Sequence, residues 1–114
     1  RGHMVHALTR STSNLEGLKH DRIKLVQGDI LKKDTLVKAM QGCSQVYHLA
    51  AYAKNWAPDR QVFFEQNVDG MRNVFEAAEQ VGVSRTVFTT TIVTFGPTRH
   101  GEVGDETMPR ITPR

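Results

Sequence analysis

Residues 86–96, TVFTTTIVTFG, decide how the rest of the chain is read. Thr86, Val87, Phe88 and Thr89 have strong β propensity, two more threonines follow, and Gly96 and Pro97 close the run. This pattern predicts a short buried strand that ends in a loop. Three other short apolar runs lie upstream, each separated from the next by a loop or a helical pattern. Strands alternating with helices predict an α/β unit, a parallel sheet of about four strands with flanking helices. Ligands of such sheets sit beyond the carboxyl ends of the strands, which is where Thr89, Thr90 and Thr91 fall. Their hydroxyls both donate and accept. They are either a docking point for a substrate oxygen or simply β-branched residues that suit a strand.

Working outward, HMVHAL (residues 3–8) predicts the first strand and IKLV (residues 23–26) the second. Between them a Ser/Thr/Asn cluster at residues 11–14 predicts a loop, with Asn14 positioned to cap a short helix carrying Leu15 and Leu18. Gly28-Asp29 ends the second strand. Asp34 then caps a helix over residues 35–41, with Gly42 as its stop. Residues 46–49 predict a third strand that runs into Ala50 and Ala51. A longer helix is expected from about Pro58-Asp59 to Gln80. In it Phe64, Val68, Met71, Val74, Phe75, Ala78 and Val81 recur every three or four residues, the apolar stripe of a half-buried helix. Gly82 is its natural stop. Gly70, inside it, costs about 1 kcal/mol of helix stability relative to alanine, which points to close packing or to the approach of a ligand. Residues 99–114 predict a loop.

The 114 residues suffice for one domain with one core, and 39% apolar and 24% charged residues are ordinary for a globular protein. No apolar run reaches the length of a membrane span. Cys43 is the only cysteine, so no internal disulfide forms, which fits a reducing cytoplasm. A packed structural thiol is its expected role. One cysteine and five scattered histidines show no zinc spacing. Of the net charge of +3, residues 1–40 hold eight Lys/Arg against four Asp/Glu. That basic third is either a solvated surface or a face toward an anionic ligand such as a nucleotide phosphate. The charges are dispersed and show no helix-turn-helix or aromatic-interleaved stripe, which argues against nucleic acid as a partner.

HMVHALTR, LVQGDI, VYHLAAYAKNW and NVDGMRNVFEAAEQVGVSRTVFTTTIVTFG, in this order and at these spacings, resemble the extended short-chain dehydrogenase/reductase family, which includes the NAD(P)-dependent sugar epimerases and dehydratases. The AAYAKNWAPD stretch and the TFGPT ending look most like its dihydroflavonol-4-reductase-like branch. The resemblance implies a Rossmann-type fold and an NAD(P)-dependent oxidoreductase acting on a small-molecule carbonyl or alcohol substrate. A nucleotide-sugar epimerase or dehydratase is the alternative within enzymes; a non-catalytic cofactor-binding or interaction module is the alternative outside them.

The implied roles attach to individual residues. Arg10 matches the position after the family's second strand, where an acid accepts from the ribose 2′-OH of NAD and an arginine pairs with the 2′-phosphate of NADP. NADP is therefore the expected cofactor and NAD the alternative, with Ser11 and Thr12 as extra hydroxyl donors; otherwise Arg10 is an exposed residue at a strand end. Asp29 resembles the acid that contacts the adenine amino group, with Ile30 packing against the ring, or else it is a turn-forming aspartate. Leu49, Ala50 and Ala51 resemble the small-residue turn on which the cofactor lies. Asn67 resembles the helix asparagine that orders the site, or is an ordinary polar helix residue. Met71 stands where the family usually has threonine. Thr91 matches the Ser/Thr of the family's catalytic Ser/Thr-Tyr-Lys set, bonding the substrate oxygen while tyrosine moves the proton; Thr90 takes that place if the register slips by one.

Two family features are missing from these residues. No GxxGxxG phosphate turn occurs, and neither Tyr47 nor Tyr52 is followed by lysine four residues later. Residues 1–114 therefore read as a partial NAD(P)-binding Rossmann domain, the inner portion of a larger enzyme, without the family's first strand and inactive alone. In the family's sheet order that strand lies between the strands at residues 3–8 and 46–49. The expectation is that these two strands pair directly, or that the chain aggregates, forms a homo-oligomer or borrows a strand in a swapped assembly.

Overall fold

The computed structural model describes residues 2–109, the side chain of Val93 excepted. Residues 110–114 of the expected closing loop lie outside the described residues. Four short strands form: β1 (Val5–Thr9), β2 (Ile23–Gln27), β3 (Gln45–His48) and β4 (Arg85–Phe88). Each agrees with an apolar run of the sequence to within a residue or two. All pairing is parallel, with Val5 opposite Ile23 through Thr9 opposite Gln27, and Gln45 opposite Arg85 through His48 opposite Phe88. The strands pair as β1 with β2 and β3 with β4, in two two-stranded sheets. The direct pairing of β1 with β3 does not occur among the described residues, so each keeps one unpaired edge.

The core lies between two helices. α1 (Lys33–Met40) contributes Leu36, which is 2% exposed, and Met40. The second helix contributes Val74, Ala77 and Ala78. Ile30, Val46, Val81 and Val83 pack around this centre, and α1 lies against β1 and β2 while the second helix lies against β3. Asp34 sits in the first turn of α1, with Lys32 at the N-cap. The carboxylate thus meets the positive end of the helix without the side-chain capping bond that the sequence predicts.

The long helix runs from Gln61 to Val81 in three geometries: α2 (Gln61–Phe64), a π-helical segment (Glu65–Asp69) and α3 (Gly70–Val81). Gly82 stops it as expected. Its φ of 80° is left-handed, and the amides of Gly82 and Val83 return to Ala78 O at 3.1 and 2.9 Å. Among the described residues no helix is long and apolar enough to cross a membrane.

Two further expectations are corrected. No helix forms around Leu15 and Leu18. Asn14 Oδ1 accepts the Glu16 amide at 2.9 Å, Leu18 N–H closes a turn on Leu15 O at 3.1 Å, and Gly17 has φ +85°. Asparagine here offers the backbone a local partner that competes with helix. Nor is β4 buried: Val87 is 37% and Phe88 44% exposed, because β3 is its one strand neighbour.

Candidate functional site

The residues singled out in the sequence lie at or just past the carboxyl ends of the four strands, apart from Asn67 on the long helix. Beyond β1, the Arg10 amide donates to Ser13 Oγ at 2.9 Å, which turns the chain as the strand ends. Its guanidinium is exposed and makes no ion pair among the described residues. Ser11 and Thr12 are exposed beside it. No helix follows β1, so this loop offers no helix N-terminus to a phosphate.

Beyond β2 the loop is tightly braced. A side chain at Gly28 would sit 2.7 Å from Leu8 Cδ1 and 2.9 Å from Thr35 Oγ1, so only glycine fits without displacement. Thr35 Oγ1 accepts the Asp29 amide at 3.0 Å and lies 2.7 Å from Lys32 O, to which it can donate. Asp29 Oδ1 accepts the Leu31 amide at 2.9 Å. The turn-forming role of Asp29 is therefore real, yet a carboxylate has about four acceptor positions and this bond leaves the others open. Ile30 is half-buried, its side chain against Gly70.

Beyond β3, Leu49, Ala50 and Ala51 are exposed, and Tyr52 is held by Asn67. The Tyr52 amide donates to Asn67 Oδ1 at 2.8 Å, and Asn67 Nδ2 donates to Tyr52 O at 3.3 Å. Asn67 lies in the π-helical segment, a widened turn often found at functional sites. His48, at the end of β3, is 5% exposed and stacks on Phe88 with centroids 5.7 Å apart. Burial pushes its pKa below the usual histidine value, so the ring is neutral at pH 7.

Beyond β4, the Thr89 amide donates to His48 O at 3.1 Å, tying this segment to β3. Thr91 opens a 3₁₀ turn (Ile92–Phe95): its carbonyl accepts from the Thr94 amide at 3.2 Å and Thr94 Oγ1 at 2.8 Å. Ile92, Phe95, Gly96 and Met108 line a hollow of about 590 Å³ next to it in the chain. A hollow of about 640 Å³ between α3 and β4, lined by Val68, Met71, Phe75 and Thr86, holds none of the singled-out residues.

The long helix brings the β2 and β3 loops together. Asn67 holds Tyr52, and Asn73 Nδ2 donates to Ile30 O at 2.9 Å. Six residues separate the two asparagines, about 9 Å along a helix. No hydrogen bond joins the Arg10 side chain to these loops among the described residues. Asn73, Thr35 and His48 were not singled out from the sequence. The available signal for Asn73 was its spacing, three residues from Gly70 and four from Ala77 on the packed face. Cys43 is half-buried, its sulfur 3.4 Å from His6 Nδ1, which lies 2.8 Å from Ala39 O. Among the described residues no group of His, Cys, Asp or Glu is placed to hold a metal ion.

The carboxyl ends of the strands thus carry an exposed guanidinium with adjacent hydroxyls, a carboxylate with open acceptor positions beside an aliphatic side chain, and a turn of exposed small residues.

The family model described as "NAD dependent epimerase/dehydratase family" matches residues 1–114. A protein of Synechocystis sp. provisionally named a dihydroflavonol 4-reductase is 36% identical over 106 residues, 93% of this chain and 31% of its own length. The 3 beta-hydroxysteroid dehydrogenase/Delta 5-->4-isomerase of Mycobacterium tuberculosis is 34% identical over 117 aligned residues, 96% of this chain and 30% of its own. The crystal structure of Thermus thermophilus UDP-glucose 4-epimerase in complex with NAD superposes with a TM-score of 0.77 at 28% identity, over 91% of this chain and 36% of that one. The chain spans about a third of the length of the curated relatives it matches.

Proposed function

From the premise that the chain belongs to the NAD dependent epimerase/dehydratase family, with a partial Rossmann-type fold, we propose that it forms the adenosine-binding and substrate-oxygen-binding part of an NAD(P)-dependent oxidoreductase. The protein would act on a small-molecule carbonyl or alcohol. When bound, the nicotinamide cofactor supplies or takes up hydride at the substrate carbon. Asp29 accepts from the adenine amino group, Ile30 lies against the ring, and Leu49, Ala50 and Ala51 let the cofactor approach the main chain closely. Asn67 keeps that turn in place through Tyr52. The Thr91 hydroxyl bonds the substrate oxygen and orients it; these residues hold no tyrosine–lysine pair of the family's spacing to move the proton. Two names among the relatives, a reductase and a hydroxysteroid dehydrogenase, support simple hydride transfer. The likeness to a UDP-glucose 4-epimerase keeps nucleotide-sugar epimerisation as the second reading. The unpaired edges of β1 and β3 favour pairing with a further strand, from a homo-oligomer, a swapped assembly or another part of the same protein.

The observation that carries this reading is the seating of the β2 and β3 loops on one helix through Asn67 and Asn73. The finer proposal is a preference for NADP, resting on Arg10, exposed and without an ion pair among the described residues. Arg10→Ala in the intact gene product is expected to weaken NADPH binding by about 1.5–3 kcal/mol, the worth of hydrogen bonds to a charged group, with NADH nearly unchanged. Calorimetric titration of both cofactors into both proteins checks this, and equal losses would remove Arg10 from the 2′-phosphate.

A further inference from the structure

Asn67, Gly70, Asn73 and Glu76 lie three apart along the long helix, and each meets a residue in or beside a loop at a strand's carboxyl end. Asn67 brackets Tyr52. The other three converge on the β2–α1 connection. A side chain at Gly70 would lie 2.7 Å from Ile30 Cδ1 and 3.0 Å from Cγ1, so the helix backbone itself forms the wall against Ile30. Asn73 Nδ2 donates to Ile30 O at 2.9 Å. Glu76 pairs with Lys33 Nζ at 2.8 Å, at the start of α1.

These three contacts are not equivalent. The Lys33–Glu76 pair is exposed on both sides, and exposed pairs hold little. Gly70 sets how close Ile30 can come, but a wall does not fix the rotation of a loop. At its start the Gly28 amide donates to Thr9 O of β1 at 2.9 Å; beyond Gly28 the loop's other bonds, from Thr35 and between Asp29 and Leu31, are local to it and α1. The local bonds hold its shape and the Gly28 bond anchors its start, and neither reaches the Ile30 carbonyl. Among the described residues, Asn73 makes the one hydrogen bond from the long helix to this loop's backbone. Asn73 is half-buried, and its amide is a directional donor to a carbonyl one residue from the Asp29 carboxylate.

We infer that Asn73 is a positioning residue for base recognition: by holding the Ile30 carbonyl it aims the Asp29 carboxylate and the Ile30 side chain at the adenine ring of the cofactor. The inference rests on the proposed nucleotide reading. It assigns Asn73 no contact with the ligand. Its effect therefore falls on discrimination between bases, because an acceptor that is no longer aimed stops distinguishing an exocyclic amino group from an oxygen.

The test is carried out on the intact gene product, with the adenine cofactor and its analogue bearing hypoxanthine in place of adenine. The wild type is expected to prefer the adenine form by about tenfold, the worth of one hydrogen bond. Asn73→Ala is expected to bind both forms within about twofold of each other. Asn73→Gln, which keeps the donor, recovers part of the preference. Should Asn73→Ala fold poorly, Asn73→Ser serves in its place. Backbone amide exchange supplies a readout without nucleotide: residues 29–31 are expected to exchange faster in the variant and residues of β3 and β4 at the wild-type rate. An Asn73→Ala protein with wild-type discrimination and unchanged exchange at residues 29–31 overturns the inference. Equal weakening for both bases shows a merely structural role and also overturns it. A wild type that binds neither cofactor overturns the nucleotide reading itself and the inference with it, whereas a wild type that binds both equally overturns the inference and leaves the nucleotide reading standing.

Discussion

The loop after β2 and the segment after β4 both lie at carboxyl ends of parallel strands, and both carry candidate site residues, yet they are built differently. Residues 28–33 are seated against the long helix by a close glycine contact, a side-chain amide bond and an ion pair, with Asp29 and Ile30 half-buried. Residues 89–92 are exposed, Ile92 at 81%, and follow a strand that has one neighbour. The first loop is held by groups on α1 and α3, the two helices that form the core. The second rests on a 3₁₀ turn and a backbone bond to His48. The loop proposed for the adenine end is thus seated on the long helix, whereas the segment proposed for the substrate oxygen is exposed.

The largest expected effect tests where the stability sits. Leu36→Ala empties the centre of the α1–α3 core and should cost about 2–5 kcal/mol. Truncating Phe88, at 44% exposure, should cost clearly less. Urea unfolding of both variants measures the difference, and equal losses would erase the contrast between the two regions. The substrate end is tested by Thr91→Val, which keeps the shape and removes the hydroxyl. In the intact gene product kcat should fall by roughly 10²-fold, as for loss of one oriented donor at a developing charge, with cofactor affinity nearly unchanged. Full turnover would pass the role to Thr90 or to no threonine.

The smallest effect is in pH. Burial lowers the pKa of His48 in the folded state, so the unfolded chain takes up the proton first. The contribution of a neutral His48 is complete above about pH 6.5 and is lost as pH falls from there through the lower folded-state value. Thermal unfolding between pH 5 and 7.5 should decline with acid more steeply in the wild type than in His48→Phe. Parallel curves would show that His48 does not couple the β3 end to protonation.

Much of this architecture was legible in residue order because it depends on local chemistry. Four apolar runs mark the four strands, a three-to-four-residue apolar repeat marks the helix up to Val81, and Gly82 stops it because only glycine readily adopts φ 80° there. The carboxyl-end placement of Arg10, Asp29, Ala50 and Thr91 follows from the same alternation of strand and loop. Gly70 announced a close approach, since a glycine inside a helix is costly unless space requires it.

What the residue order did not contain came from groups far apart in the chain. Asn73 and Ile30 are 43 residues apart, and no local pattern tells an asparagine that holds a distant carbonyl from one that faces water. The π-helical turn at Asn67 arises in a stretch whose apolar spacing also suits an unbroken α-helix. The division into two strand pairs and the exposure of β4 depend on which strands find neighbours, which is a property of the packed sheet. Local propensity therefore determined the elements, and long-range packing decided which of their side chains hold the site in place.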